Sequence, residues 1–199
     1  MNTFYIDRTP VTCAEFKRFL DSSHYRPKDA HNFLHGWKGG SFPKGWERKP
    51  VTWVSIEDAR AYATWAGKRL PHEWEWQYAA QSDDRRLYPW GKDKDDNRVP
   101  PFDHGREQRS PTDVEAFPQG ASPFGVLDLV GNVWQWTDEF RDEHTRAAIL
   151  KGGSYYRPDQ SHWYFPQARQ LNQHGKYLLL APSIDRSATI GFRCVVDAP

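Results

Sequence analysis

The sequence predicts a single α+β domain over residues 1–199, with short helices in the first half of the chain and mostly short strands in the second. Helix-capping signals begin three predicted helices before residue 82. Alternating apolar and polar residues, the pattern of strands, follow mainly after residue 130. Aliphatic residues are scarce, but 10 Trp, 9 Tyr and 11 Phe supply the apolar surface that a core needs.

Charge and hydropathy exclude several classes of protein. The chain has 27 Lys and Arg against 26 Asp and Glu, and no block of basic residues, so we expect no nucleic-acid partner. No apolar run approaches the roughly 18 residues of a membrane helix, so we expect no membrane association. The first residues lack the pattern of a signal peptide, which predicts a cytoplasmic protein.

The two cysteines, Cys13 and Cys194, are too few for a disulfide scaffold or for a four-ligand zinc site. A single bridge between the two ends of the chain is one alternative. Two separate buried thiols are the favoured interpretation, because free cysteine packs as a small apolar side chain.

The first elements are a strand and a helix. TFYIDRTPVT is typical of a short strand that Pro10 ends. Thr12 and Glu15 then form a T-x-x-E capping box, which predicts that a helix begins there. The glycine-rich and proline-rich segment 25–49 is predicted to be mostly loop.

Two further helices are predicted before residue 82. Ser55 and Asp58 give a second capping signal, and Gly67 supplies the stop for that helix. Pro71 stands where a third helix, His72 to Gln81, would have its first residue.

The remainder of the chain combines a long irregular segment with strands. Residues 82–124 show almost no periodicity, so aromatic anchors or a bound ion would have to hold them. Strands are predicted at 131–137, 148–153 and 190–196.

Four segments, taken in order, resemble one known family. They are PVTWVSIEDARAYATWAGKRLPHEWEWQYAA (50–80), SPFGVLDLVGNVWQWT (122–137), LKGGSYYR (150–157) and DRSATIGFRCVVD (185–197). Together they resemble the formylglycine-generating enzyme or sulfatase-modifying factor family, which includes the C-terminal domain of ergothioneine-pathway sulfoxide synthases and a pyoverdine-maturation protein. The resemblance implies a variant of the C-type lectin fold, with short helices, twisted antiparallel strands and long loops.

The residues after the GGS motif depart from the family pattern. The generating enzymes use a cysteine pair at this point, which binds copper and oxidises a substrate cysteine with oxygen. Here Gly152-Gly153-Ser154 is followed by no cysteine, and Arg157 and His162 stand about where the two thiols would be. Because Cu(I) chemistry requires soft thiolates, we do not expect formylglycine generation by the copper route.

The pocket that the resemblance implies around the GGS motif nevertheless supplies candidate site residues. Its catalytic candidates are His162, Arg157 and Ser154, and its ligand-binding candidates are Trp134, Tyr155, Trp163 and Arg169. Guanidinium groups there would clamp a carboxylate or a sulfate. Core packing is the alternative role for the aromatic residues.

His31 and His35 form the closest histidine pair, in an H-x-x-x-H spacing that metal sites use. The sulfoxide synthases bind iron through an H-x-x-x-H-x-E pattern in a separate helical domain, but Trp37 stands where that Glu would be. A loop pair that binds nothing is therefore the default interpretation. Copper or iron at His162, with or without this pair, is the alternative.

Calcium is the other metal that the resemblance implies. One family site uses a side chain, two backbone carbonyls and a glutamate. These map onto Asp128, the carbonyls of Gly131 and Val133, and Gln135, which replaces the carboxylate. A weaker second site maps onto Asn97, Arg98 and Asp103. The alternative is that Asp128 caps a turn and Asn97 lies in an ordinary loop.

Two functions remain open at this point. The first is a metal-dependent oxidoreductase of this family that does not use the copper–thiolate pair. The second is a non-catalytic C-type-lectin-like module that binds a peptide, a sugar or a small anion. Either function implies a small-molecule or peptide ligand, and the oligomeric state is left open.

Overall fold

The computed structural model describes residues 3–101, 110–142, 144, 146–156, 170–178 and 186–199. Three helices come first: α1 (Cys13–Ser23), α2 (Ile56–Trp65) and α3 (Glu73–Gln81). The strands are β1 (Phe4–Ile6), β2 (Trp134–Phe140), β3 (Ala147–Lys151), β4 (His174–Leu178), β5 (Ile190–Gly191) and β6 (Val195–Asp197). Short helices therefore precede all but one of these strands, and the α+β class is confirmed.

The first two helices begin where their capping signals predict. At α1 the Thr12 hydroxyl accepts from the Glu15 backbone N–H at 3.3 Å, and the Glu15 carboxylate accepts from the Thr12 N–H at 2.8 Å. Ser55 and Asp58 make the same reciprocal pair before α2. These bonds satisfy N–H groups that have no partner inside the helix.

The start of α3 differs from the prediction by one residue. His72 is the residue that caps the helix, so Pro71 precedes the helix instead of occupying its first position. The Glu75 carboxylate accepts the His72 backbone N–H at 2.8 Å and closes the first turn. The first helical residue is thus Glu73.

The six strands within the described residues form two sheets. β1 and β6 pair antiparallel, with Tyr5 opposite Val196, and so bring the two ends of the chain together. The second sheet has the order β4-β3-β2-β5, in which β5 runs parallel to β2 and the other pairs are antiparallel. The predicted strand 190–196 is divided into β5, which pairs with β2, and β6, which pairs with β1. No sequence pattern predicted β4.

Aromatic rings hold the main core between α1, α2 and the strands. The Phe16 and Phe19 ring centroids are 5.2 Å apart, and Tyr62 lies 5.6 Å from Phe19 and 5.4 Å from Phe192. A smaller cluster forms around Trp76, Val126 and Leu129. Cys13 and Cys194 are free, buried thiols, so the predicted absence of a bridge between them is confirmed.

The segment between α3 and β2 is irregular, as predicted, apart from 3-10 turns at Asp96–Arg98 and Pro118–Gly120. Tyr88 and Trp90 stack at 5.2 Å and anchor the early part of this segment. In the described part of the chain, no helix is long and apolar enough to cross a membrane.

Candidate functional site

A buried guanidinium organises the centre of the molecule. The Arg193 nitrogens donate to the Gln135 amide oxygen at 2.7 Å and, at 2.7–3.2 Å, to the carbonyl oxygens of Asp7, Arg8, Leu127 and Asp128. Burial lowers the pKa of Arg193 to about 10, and the nearby Asp128 carboxylate opposes that shift. The group therefore stays charged at neutral pH and joins three separate segments of the chain.

Gln135 is fully engaged in this network. Its amide oxygen accepts from the Trp76 indole N–H at 2.8 Å as well as from Arg193. Its amide nitrogen donates to the carbonyls of Asp128 at 2.9 Å and Leu129 at 3.3 Å. Because the two lone pairs of the amide oxygen are both used, the geometry does not support Gln135 as a side-chain ligand of calcium.

Asp128 is the stronger candidate for a cation ligand. Its carboxylate is buried and accepts the Glu115 backbone N–H at 2.8 Å, and burial raises the pKa of the group. A cavity of about 10 Å³ lies beside it, lined also by Arg98, Val99 and Leu129. A cavity of this size has room for one water molecule or one bare ion. Residues from the two predicted calcium sets thus meet at one cavity.

The contacts of the other predicted calcium ligands involve atoms other than the oxygens that would bind the ion. The Asn97 backbone N–H donates to Asp95 at 3.0 Å, and the Arg98 side chain forms an ion pair with the same carboxylate. Gly131 donates its N–H to the Gly153 carbonyl at 3.2 Å. Val133 is buried, and Asp103 lies outside the described residues. The calcium sites stay a prediction.

The GGS motif forms a turn packed against residues 129–132. Gly152 has a φ of +98°, and a Cβ atom there would lie 2.3 Å from the Leu129 carbonyl oxygen, so no other residue fits. The Tyr155 N–H donates to the Asn132 carbonyl at 3.0 Å. Ser154, a predicted catalytic residue, is completely buried in this turn. The conformation of the motif thus has a packing explanation.

Two predicted ligand-binding residues also lie in the interior. Trp134 packs on β4, where a Cβ at Gly175 would be 3.3 Å from its ring. The Tyr155 hydroxyl donates to the Ala188 carbonyl at 3.3 Å, and both aromatic side chains are buried. Packing is therefore the role that their contacts show. Arg157, His162, Trp163 and Arg169 lie outside the described residues.

The loop that carries His31 and His35 is held in an unusual backbone conformation. Three of the nine described non-glycine residues with positive φ lie here: Asn32 at 56°, Leu34 at 50° and Trp53 at 60°. The Leu34 N–H donates to the Trp53 carbonyl at 3.0 Å, so two of these residues are bonded to each other. Strained backbone of this kind clusters at functional sites, because only surrounding structure can maintain it.

This histidine loop and the GGS turn reach the same C-terminal segment. The Trp53 N–H donates to the Ser187 carbonyl at 3.0 Å, and Tyr155 bonds to the adjacent Ala188. The His35 ring lies 4.8 Å from the Trp53 ring, and both loop histidines are exposed. The structure therefore brings the histidine pair close to the start of the segment that follows GGS. No spacing in the sequence indicates this.

Two buried charged groups have no signal in the sequence. Arg186 forms a fully buried ion pair with Asp58 at 2.8 Å and donates to the His31 carbonyl at 2.6 Å. Lys151, next to GGS, forms an ion pair with Glu73 at 2.8 Å, and burial lowers its pKa. Asp58 was recognised only as a cap, since its second partner is 128 residues away in the chain.

The thiols lack the environment that nucleophilic or copper-binding cysteines need. Burial raises the pKa of Cys13 to about 12 and raises that of Cys194 still further. The Cys13 thiol faces the Pro50 carbonyl at 3.8 Å, whereas the backbone of Cys194 bonds to Asp7. Because thiolate is the form that binds copper, neither residue fits a copper–thiolate site at neutral pH.

A typical transition-metal site groups three or more His, Cys, Asp or Glu side chains. The described residues contain no such group. His162 and its neighbours lie outside those residues. The copper or iron site predicted there is therefore an open prediction.

Comparison with known proteins agrees with this architecture. The chain is 30% identical to a hercynine oxygenase of Mycolicibacterium smegmatis over 220 residues, which cover 85% of this chain and 51% of that protein. It is 36% identical to a formylglycine-generating enzyme of Mycobacterium tuberculosis over 184 residues, which cover 74% of this chain and 57% of that enzyme. The chain thus spans about half the length of the curated relatives it matches.

A solved structure shows the same fold. PvdO from Pseudomonas aeruginosa superimposes with a TM-score of 0.71 and 21% identity, covering 98% of this chain and 80% of PvdO. The expected fold, the formylglycine-generating-enzyme type of the C-type lectin fold, is thereby confirmed. The family model for the sulfatase-modifying factor enzyme 1-like domain matches residues 1–198. The chain therefore belongs to the sulfatase-modifying factor family.

Proposed function

We propose that this chain is an oxidoreductase of the sulfatase-modifying factor family whose chemistry uses no thiolate pair. The observation that carries the proposal is the state of the two cysteines, which are buried, separately bonded and protonated at neutral pH. Its relatives include a hercynine oxygenase and a formylglycine-generating enzyme, and the cysteine pair that the family's generating enzymes use after GGS is absent from this chain.

The reacting face of this enzyme is formed by the histidine loop, Trp53 and the Ser187–Ala188 segment, next to the residues that follow GGS. Support comes from the strained backbone at Asn32, Leu34 and Trp53 and from the exposure of His31 and His35. Arg186 holds the loop through the His31 carbonyl. Neutral imidazoles suit iron or copper, which would supply oxygen activation when bound at His162 and this pair.

Calcium has a separate, structural role in this proposal. The Asp128 carboxylate and the small cavity beside it are the features that suit an oxygen-liganded cation. Gln135 takes no part as a side-chain ligand, because its amide oxygen already accepts two hydrogen bonds. A cytoplasmic location remains part of the same hypothesis.

The test is oxygen consumption by the purified chain with added Fe(II) or Cu(I), using hercynine and cysteine as probes. We expect consumption to persist in Cys13→Ala/Cys194→Ala, because neither thiol takes part. It should be lost in His162→Ala and reduced in His31→Ala/His35→Ala.

The melting temperature of every variant is measured, so that loss of activity through unfolding is not mistaken for loss of a catalytic group. Loss of activity in a folded double cysteine variant would show that thiols act and would overturn the proposal. Oxygen consumption that is absent under every metal and probe condition would instead favour a binding module.

A further inference from the structure

A second cleft lies apart from the proposed reacting face. Its volume is about 790 Å³, and its walls are β1, the outer surface of α3 and the loop before β2. The side chains that line it include Tyr5, Arg8, Tyr78 and Phe124. A cleft of this size is in the range of ligand-binding sites.

Exposed aromatic side chains are concentrated in this cleft. Tyr5 is 62% exposed, Phe124 52% and Tyr78 39%. The Tyr78 and Phe124 rings lie 5.3 Å apart, and Phe4 meets Trp74 edge-on at 6.5 Å. A group of exposed rings is costly to keep in water and typically marks a binding surface.

One wall of the cleft is the open edge of a sheet. Within the described residues, the sheet of β1 contains β6 as the single other strand. The Asp7 N–H donates to the Cys194 carbonyl at 2.9 Å, and the Ala198 N–H donates to the Thr3 carbonyl at 3.0 Å. Odd-numbered residues therefore face β6, and the backbone groups of Phe4 and Ile6 face the cleft.

The chain itself makes one backbone hydrogen bond on this edge, at the Arg8 end. The carbonyl of Arg8, the next even-numbered residue, accepts the Leu127 N–H at 2.8 Å. The residues just before Leu127, Phe124 to Val126, form a loop that lines the cleft. The Leu127 backbone thus bonds to this edge at the Arg8 end, and the cleft lies alongside Ile6 and Phe4, further along the same edge.

We propose that this cleft binds a peptide in extended conformation, which adds to β1 as a third strand. The N–H and C=O groups of Phe4 and Ile6 would pair with the backbone of the peptide. Only another backbone offers matching donors and acceptors at each successive position. Apolar side chains of the peptide would lie against Tyr78 and Phe124. β1 spans about 10 Å at roughly 3.3 Å per residue, so four or five peptide residues suffice.

The peptide should carry an acidic residue at the Arg8 end. The Arg8 side chain is 67% exposed, and its present ion pair with Glu115 is 3.3 Å long. An exposed pair of this kind contributes little to stability, so a carboxylate of the peptide can replace Glu115. Electrostatic complementarity at this end would fix the direction of the peptide.

The test uses a panel of fluorescein-labelled pentapeptides that alternate Phe and Val and carry Asp at one end or the other. Two matched versions of each peptide carry N-methyl groups on alternate backbone nitrogens: the odd-numbered nitrogens in one phase and the even-numbered nitrogens in the other. In a strand only one phase faces β1. We therefore expect one version to bind about tenfold more weakly or worse than the parent, and the other to bind like it.

Amide hydrogen exchange measured by NMR locates the contact. Binding should slow exchange at Phe4 and Ile6, whose N–H groups face the cleft, and leave Tyr5 unchanged, since its N–H faces β6. Phe124→Ala and Tyr78→Ala should each weaken binding by about tenfold. Leu87→Ala, an exposed apolar residue outside the cleft, should have no effect and is the matched control.

Three results would overturn the proposal. Equal binding of both N-methylated versions and the parent would mean that no backbone pairing occurs. No binding below about 1 mM by any peptide of the panel would exclude an extended peptide as the occupant. A dimer in light scattering that Phe124→Ala dissociates would show that a second copy of the chain covers the cleft.

Discussion

Arg193 and Gln135 show how single residues determine the chemistry of the molecule's centre. The Gln135 amide accepts from a guanidinium and an indole on one side and donates to two carbonyls on the other. A glutamate at this position would accept but could not donate, and would place its charge against the carbonyl oxygens of Asp128 and Leu129. Glutamine is thus the residue that satisfies every partner at this position.

Asp128 is the residue at which calcium binding is best tested. We expect millimolar calcium to raise the melting temperature of the wild-type chain, because a ligand that binds the folded state alone stabilises it, by about 1.4 kcal/mol at ten times its Kd. Asp128→Asn should remove that rise. The effect should weaken on acidification, because burial raises the pKa of Asp128 and protonation abolishes its charge.

The control for this measurement is Asp21→Asn, which removes an exposed carboxylate on α1 and should leave the calcium effect intact. Melting is compared in calcium and in a calcium chelator. Identical curves for the wild-type chain under both conditions would contradict calcium binding. The Arg193 guanidinium would then supply the positive charge at the centre without a metal.

At the scale of elements, the beginning of α2 is where local and long-range bonds meet. Asp58 accepts the Ser55 N–H at 2.8 Å as part of the capping box. The same carboxylate accepts the Tyr25 hydroxyl at 2.9 Å and the Arg186 guanidinium at 2.8 and 3.2 Å. The helix start is therefore connected to the histidine loop and to the C-terminal segment.

Asp58→Ala should destabilise the chain by about 3–5 kcal/mol, because it leaves the buried Arg186 charge without its partner. A double variant, Asp58→Leu/Arg186→Met, should recover much of that loss, since it removes both charges. Urea unfolding measures the free energies. Glu57→Ala, an exposed neighbour in the same turn, is the control and should change stability by about 0.5 kcal/mol or less.

A loss of only about 1 kcal/mol for Asp58→Ala, the usual cost of a missing cap, would contradict this account. It would mean that Arg186 finds another partner when the carboxylate is removed. The histidine loop would then not depend on the ion pair for its position.

At the scale of the whole molecule, burial of weak acids determines how stability depends on pH. Burial raises the pKa of Cys13 from 9.0 to about 12, and it also raises the pKa values of Cys194, Tyr25 and Tyr62. The folded state consequently holds these protons at pH values where the unfolded state releases them. Lys151 and Arg193 act in the opposite direction, because burial lowers their pKa values.

We expect the free energy of unfolding to fall as pH rises from about 9 towards about 12, because the unfolded chain ionises first over that interval. The stabilising effect of Cys13 is fully present below pH 9.0 and is lost as pH approaches about 12. Cys13→Ala should therefore show a shallower decline than the wild-type chain in urea unfolding across this range. Equal slopes for the two proteins would show that the Cys13 thiol is accessible to water.

Much of the architecture could be predicted from sequence because the signals are local. The capping boxes at Thr12 and Ser55 each involve residues three positions apart, so they indicate where α1 and α2 begin without knowledge of the fold. The aromatic content predicted a core built from rings, and Phe16, Phe19 and Tyr62 form it. The order of four long motifs was enough to identify the family that the comparisons show.

Other features depend on contacts between distant residues and could not be predicted in this way. The residues 190–196 alternate like one strand, but β5 pairs with β2 and β6 pairs with β1, with the buried Arg193 between them. Gln135 was assigned as a calcium ligand from its motif alone, since nothing local shows that Trp76 and Arg193 use its oxygen. The β1 cleft was missed because its walls come from three separate segments.

The sequence by itself determined the helix starts, the aromatic core, the family and the absence of a cysteine pair after GGS, because each depends on residue identity or on neighbours within a few positions. The tertiary structure alone decided the surroundings of Gln135, the position of the histidine loop beside Ser187 and the open edge of β1. The physical reason is that a buried hydrogen-bonding group takes whichever partner the folded chain brings to it. That partner can lie anywhere in the sequence.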